Sequence, residues 1–225
     1  MRGVILAGGY GTRMAPCTKV TNKHLLPVYT EAGAVPMIHF PIRTLVKSGI
    51  ENILIISSRH HSGDIIEHLG DGEEFGADFS YKVQDMDRVQ LGIASALKIA
   101  RDYTKDDNMA VILGDNYFEE SFKTRFTQFD IGQIDCYSLG FLKTVSDPTR
   151  FGVILWKDTN FTEVLCIYEK PKNPPSNWAV TGLYLFKPQV YELLDGLKPS
   201  RRGELEIIDI LNMDIQQNKF SHFLE

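Results

Sequence analysis

The sequence is poor in most features that would tie a chain to a polymer, a membrane or an oxidising compartment. Its 225 residues carry a formal net charge of −5 and no run of lysines and arginines. The electrostatic footprint of a nucleic-acid surface is therefore missing. No apolar stretch approaches the roughly 20 residues of a membrane span. The first one, Gly3 to Ala7, ends at Gly8 after five residues, too short for a secretion signal. The three cysteines, Cys17, Cys136 and Cys166, are far apart and form no Cys-x-x-Cys pair. That usage predicts a reduced, cytoplasmic setting. His60-His61 has no partner at metal-ligand spacing. There is no repeat and no low-complexity segment, and the one proline-rich patch, 171–175, has the length of a loop.

What is present is a hydrophobic content of 43%, enough for one sizeable core. Short apolar runs stopped by glycine or polar residues predict buried strands at 3–7, 52–58, 79–84 and 109–113. Between them, apolar positions at helical spacing predict helices from Ile38 to the stop at Gly49, over 64–69, and through Ile93, Ala96, Leu97 and Ala100. Strand and helix in alternation imply a parallel sheet with right-handed crossovers. The second half reads differently. Strand-like segments at 134–141, 151–156, 164–168 and 179–186 are separated by Pro, Gly, Asp and Asn, and several could pair antiparallel. Helices are predicted at 189–197 and 205–217. A single mixed α/β domain over 1–225 is expected: a Rossmann-like, mostly parallel sheet flanked by helices, with an antiparallel part.

In such a sheet, ligands bind beyond the carboxyl ends of the strands. Three segments fall there. Leu6-Ala7-Gly8-Gly9-Tyr10-Gly11-Thr12-Arg13 offers backbone amides for close approach to phosphate, plus a planar cation at Arg13. It is neither a dinucleotide fingerprint, because Met14 stands where glycine is needed, nor a Walker loop. Lys23, between Pro16 and Pro27, brings a second cation to the same region, a combination suited to a triphosphate. Asp115, at the end of the fourth run, stands where a carboxylate commonly holds a hard cation on substrate phosphates. Taken singly, each has a structural alternative: a tight strand-to-helix turn, a solvated lysine, a turn or cap made by Asp115 with Asn116.

Read together, Gly9 to Thr18 (Gly-x-Gly-Thr-Arg-x-x-Pro-x-Thr) and Lys23 to Val28 (Lys-x-Leu-Leu-Pro-Val) resemble the signature of the sugar-1-phosphate nucleotidyltransferases. Further blocks follow in family order: Tyr81 to Gln84, Gly114-Asp115-Asn116, Phe151-Gly152-Val153, Glu169-Lys170-Pro171, Asn177 to Tyr184 and Gly203 to Ile207. The wording around Lys23 and Gly203 is most similar to the thymidylyltransferase branch acting on glucose 1-phosphate. The resemblance implies the fold of that family and transfer of a nucleotidyl group from dTTP, or alternatively UTP, to a sugar 1-phosphate with release of pyrophosphate. It implies Mg²⁺ on Asp115, and a homo-oligomer. A nucleotide- or sugar-binding homologue without turnover is a third reading.

Roles follow by the same resemblance. The nucleotide would lie on Leu6, Ala7, Gly8, Gly9, Gly11 and Thr12, its triphosphate cradled by the backbone from Gly8 to Thr12, with Arg13 stabilising the departing pyrophosphate and Lys23 neutralising the α-phosphate. Gln84 would read the pyrimidine with backbone help from Gly92. Lys170 would grip the sugar phosphate. Glu169 would accept from sugar hydroxyls, and Asn116, Gly152, Val180 and Thr181 would complete the sugar pocket.

Three departures stand out. Residues 31–35 look like an insertion, and the 84–92 loop is about two residues longer than usual, with Ser95 in place of a common glutamine. The family also continues into a Gly-x-x-Trp-x-Asp-x-Gly block whose aspartate is a second metal carboxylate. The sequence stops at Glu225 without it, so one fewer anionic ligand is expected.

Overall fold

The computed structural model describes residues 1–9, 11–31, 33–85 and 92–224, the side chain of Arg13 excepted. The framework is one nine-stranded sheet. Its first strand, β1 (Arg2–Ala7), sends Val4 and Leu6 to one face and Ile5 and Ala7 to the other, as the two-residue period of a strand requires. Both faces are covered by helices, which is why the run is continuously apolar.

A hairpin, β2 (Pro27–Thr30) and β3 (Gly33–Pro36), stands apart from the main sheet. Then come α1 (His39–Lys47), β4 (Asn52–Ser58), α2 (Ser62–Leu69), β5 (Asp78–Gln84), α3 (Ile93–Thr104), β6 (Met109–Leu113) and α4 (Lys123–Asp130). The second half supplies β7 (Ser138–Thr144), β8 (Gly152–Trp156), β9 (Val164–Glu169), β10 (Trp178–Phe186), α5 (Val190–Gly196), α6 (Ile207–Gln216) and β11 (Phe220–Leu224).

The sheet order is β11-β7-β10-β6-β1-β4-β5, with β8 and β9 branching from β10. The β6-β1-β4-β5 half is parallel. In the other half, β10 runs antiparallel to both β6 and β7, and β8 runs antiparallel to β9. Helices α3, α5 and α6 pack on the Val4/Leu6 face, and α1, α2 and α4 on the Ile5/Ala7 face.

The predicted parallel half and antiparallel part are both present. Three details differ from the expectation. The strand expected at 134–141 is Ser138–Thr144, because the chain joins the sheet only where Tyr137 and Ser138 both donate to the Lys219 carbonyl; Ile134 packs on the core from the preceding turn. Helix α4 was not anticipated, since Lys123-Thr124-Arg125 and Thr127-Gln128 leave only Phe126 and Phe129 as buried contacts. The insertion at 31–35 falls in the β2–β3 hairpin, whose strands are mostly exposed and carry no core periodicity.

Candidate active site

The parallel strands end side by side, with Ala7 beside Ser57 and Leu6 beside Leu113. The Gly114 amide donates to the Leu6 carbonyl at 2.9 Å, which stitches the turn after β6 to the turn after β1. Beyond this rim lies a cleft of ≈ 950 Å³ that runs across the sheet toward β8 and β10.

One wall is the glycine turn. Leu6, Gly8, Gly9 and Thr12 line the cleft, whereas Ala7 is fully buried behind it. The Ala7 carbonyl accepts from Asn22 Nδ2 at 3.3 Å. Gly11 is in the left-handed region at φ 61° and its carbonyl accepts from Thr18 Oγ1 at 2.8 Å. A Cβ there would lie 2.8 Å from Thr18 Cγ2, so glycine is needed for both reasons. Ala7 and Gly11 thus shape the turn from behind, and Arg13 sits in the short helical turn that follows, its side chain outside the described residues.

Lys23 and Asp115 meet at the middle of the cleft, Nζ to Oδ2 at 2.6 Å. Burial opposes the charge on Asp115, but the Lys23 ammonium outweighs it and holds the carboxyl below its ordinary range. Beneath them His24 is 1% exposed. Asn22 Oδ1 accepts from the His24 backbone amide at 2.9 Å and from Nδ1 at 2.6 Å, which fixes the proton on Nδ1. Burial, with Lys23 adding to it, lowers the His24 pKa to about 3, so the ring is neutral. It fills the space next to Gly114, where a Cβ would come within 2.8 Å of Cδ2.

Gln84 closes the nucleotide end. It is 5% exposed, yet among the described residues Nε2 has no hydrogen-bond partner. A buried amide left unpaired is costly unless a ligand completes it. Its Oε1 lies near Gly8, 3.2 Å from where a Cβ would stand. Gly92, at φ 114°, opens α3, and the Leu205 carbonyl occupies its Cβ space, only 2.3 Å away.

At the other end β10 is irregular. Its register against β7 jumps between Val180 and Tyr184, so Thr181, Gly182 and Leu183 face Phe141 alone. Thr181 Oγ1 donates to the Phe141 carbonyl at 2.8 Å, while Val180 and Thr181 line the cleft. Gly152, also lining it, leaves room for Ile208, whose Cδ1 would be 2.6 Å from a Cβ. Glu169 Oε1 accepts from Lys170 Nζ at 2.5 Å and from Arg202 Nη1 at 3.2 Å. Arg202 also reaches Glu206 at 3.3 Å and Glu204 at 3.2 Å. Burial raises the Glu206 carboxyl above its ordinary range, with the Ser200 hydroxyl opposing.

Leu6, Gly8, Gly9, Thr12, Lys23, Gln84, Gly92, Asp115, Asn116, Gly152, Glu169, Lys170, Val180 and Thr181 all line one cleft. The sequence reading missed Arg202, which directly precedes the Gly203 block and ties three carboxylates together. It also missed Tyr117, Glu119 and Glu120 on the rim after Asn116, and Lys143 and Arg150 near the sugar end. Lys143 lies on β7 and Arg150 just before β8, so their place at the cleft depends on the β7–β10 and β8–β10 pairings, which no local pattern reveals. Among the described residues no three His, Cys, Asp or Glu side chains cluster as a metal cage. Asp115 is a hard oxygen donor facing the same cleft as the glycine turn. One carboxylate completed by substrate phosphate oxygens is an ordinary Mg²⁺ donor set.

A half-parallel sheet with a glycine turn, a cation and a carboxylate at its rim defines an α/β nucleotide-handling enzyme. The chain belongs to the nucleotidyl transferase family, whose model matches residues 2–224. It is 41% identical over 224 residues to the glucose-1-phosphate thymidylyltransferase of Neisseria meningitidis, covering 98% of this chain and 73% of the relative. To the Mycobacterium tuberculosis enzyme of the same name it is 38% identical over 226 residues, with coverage of 98% and 73%. A solved Bacillus anthracis structure, assigned as a glucose-1-phosphate thymidylyltransferase and in complex with a sucrose, superposes with a TM-score of 0.89. It has 43% identity and covers 100% of this chain and 87% of that one. A UDP-glucose pyrophosphorylase complexed with UDP-glucose, at 24% identity and a TM-score of 0.79, shares the fold.

Proposed function

We propose that this chain transfers a thymidylyl group from dTTP to glucose 1-phosphate, releasing pyrophosphate. The observation that carries the reading is the Lys23–Asp115 pair, set between a glycine turn and an opened strand in one continuous cleft. The names of the relatives at 38–41% identity support the same substrates.

The chemistry is an in-line displacement. An oxygen of the sugar phosphate attacks the α-phosphorus, the bond to the bridging oxygen breaks, and its electrons leave with pyrophosphate. The nucleophile is already an anion, so no general base is required; alignment and charge neutralisation carry the rate. The amides of Gly8 to Thr12 would cradle the triphosphate. Arg13, at the end of that turn, would stabilise the charge gathering on the leaving group. Lys23 would exchange Asp115 for the α-phosphate as nucleotide enters. Asp115, freed of Lys23, would hold Mg²⁺. When bound, Mg²⁺ supplies positive charge that draws the phosphate oxygens into the reactive arrangement.

Gln84 would offer Nε2, unpaired among the described residues, and the Oε1 beside Gly8 to a pyrimidine edge. Lys170 would turn from Glu169 to the sugar phosphate, leaving Arg202 to hold Glu169 for sugar hydroxyls.

The test is pyrophosphate release with glucose 1-phosphate and Mg²⁺, using dTTP, UTP, ATP and GTP in parallel. Turnover with dTTP well above UTP is expected. Equal or better use of UTP would reassign the nucleotide. Tight nucleotide binding without any product would make the chain a binding homologue.

A further inference from the structure

Asn116 sits between the two halves of the cleft, and both ends of its amide are engaged inside the protein. Oδ1 accepts from the Gly182 backbone amide at 3.1 Å. Nδ2 donates to Asp115 Oδ1 at 3.3 Å. A side chain used in this way links the carboxylate rim after β6 to the irregular stretch of β10.

The link is built into the sheet. The β6–β10 pairing extends only to Ile112 opposite Leu183. Gly182 lies one residue past it, and on the other side the β7 register has already slipped. Its buried amide would lack a partner, and the Asn116 carboxamide takes the place of the missing strand. The approach is close enough to dictate the residue: a Cβ on Gly182 would lie 2.6 Å from Asn116 Oδ1 and 2.7 Å from Cγ. No unusual backbone angle requires this glycine; the proximity of Asn116 does. Thr181 Oγ1 pins the neighbouring residue to Phe141 from the opposite side. The peptide carrying Val180 and Thr181 is thereby held facing the cleft.

We infer that Asn116 is a positioning residue: its two hydrogen bonds lock the Asp115 carboxylate to the β10 bulge, so that metal-bearing nucleotide and sugar phosphate are held in one mutual geometry. It acts through Asp115 and through the Val180–Thr181 peptide, in addition to facing the cleft itself. The inference rests on the proposed reaction for its catalytic meaning. The coupling is a property of the folded chain and can be read without turnover.

Three measurements on Asn116→Ala, Gly182→Ala and the double variant decide it. Amide exchange at Gly182 is followed by NMR in the nucleotide-free protein. Mn²⁺ affinity is measured by EPR in the presence of dTTP. The KM for glucose 1-phosphate is taken last. Asn116→Ser, shorter but polar, is run in parallel so that a folding failure of one variant does not remove the test. In Asn116→Ala, Gly182 exchange should accelerate about tenfold. Mn²⁺ binding should weaken and the sugar-phosphate KM should rise, each by about three- to tenfold, the range of one lost hydrogen bond. Gly182→Ala should reproduce these effects, because its methyl evicts Asn116. Added to Asn116→Ala it should change little further, by about twofold or less.

Unchanged Gly182 exchange overturns the inference, as does a rise in sugar-phosphate KM with Mn²⁺ affinity unmoved, which would make Asn116 a direct sugar contact only. Absence of turnover in the parent chain, with the exchange and Mn²⁺ effects intact, would sink the reaction and leave the coupling standing.

Discussion

Asp214 is fully buried on α6, and the Ser138 hydroxyl is the one polar side chain acting on its carboxylate among the described residues. Burial pushes its pKa up to about 6, with the Ser138 hydroxyl offsetting only part of the shift. The folded state therefore holds this proton more tightly than the unfolded chain. Its favourable contribution is complete below the ordinary value near 3.8 and is lost as pH rises through about 6. Asp214→Asn keeps the neutral form at all pH values. It should stabilise the protein by about 3 kcal/mol at pH 8 and by well under about 1 kcal/mol at pH 4, checked by denaturant unfolding at the two pH values. Nothing in the sequence singled Asp214 out, because burial of a polar residue on an apolar helix is a tertiary fact. Lys23 and Asp115 were legible as chemistry-bearing residues, since each ends a recognisable turn or strand. Their 2.6 Å contact was not, because 92 positions separate them. Asn116 was read as part of the sugar pocket, and its role as a link became visible only with the β10 register.

The elements that were easiest to read are those buried on both faces. β1, β4 and β6 announce themselves as unbroken apolar runs ended by small or polar residues, and their boundaries differ little from the expectation. The hairpin β2–β3 and helix α4 were missed because exposed or half-exposed elements leave weak periodicity. The junction at α3 was half legible. Gly92 was expected to help bind the base, whereas its conformation and the nearness of Leu205 show a structural demand as well. Gly92→Ala would drive a methyl into the Leu205 carbonyl at a backbone angle that L-residues rarely adopt. It should destabilise the fold by about 2–4 kcal/mol. A thermal shift of that size, with part of it recovered on dTTP binding, is the expected result; an unchanged Tm would show that the 200–206 loop yields freely.

For the whole molecule, the resemblance implies an oligomer, and we propose at least a dimer. Val28 and Tyr29 on β2, 37% and 83% exposed, give the hairpin apolar surface for such a contact. Light scattering at micromolar concentration should give about twice the mass of one chain or more, and a monomer would refute the proposal. Among the described residues no helix is long and apolar enough to cross a membrane. The sheet order also has a bearing on synthesis. β5, β4, β1 and β6 come from the first 113 residues, but β6 gains its second neighbour only when β10 arrives, at residues 178–186. Until then a growing chain on the ribosome carries a bare, apolar strand edge over some 65 residues of elongation, several seconds at ordinary translation rates. The same delay keeps the cleft open-ended. With Gly182 and Leu205 still to be made, a nascent chain has neither the partner of Asn116 nor the stop against Gly92, so the link from the Asp115 rim to β10 forms only after synthesis has passed those residues.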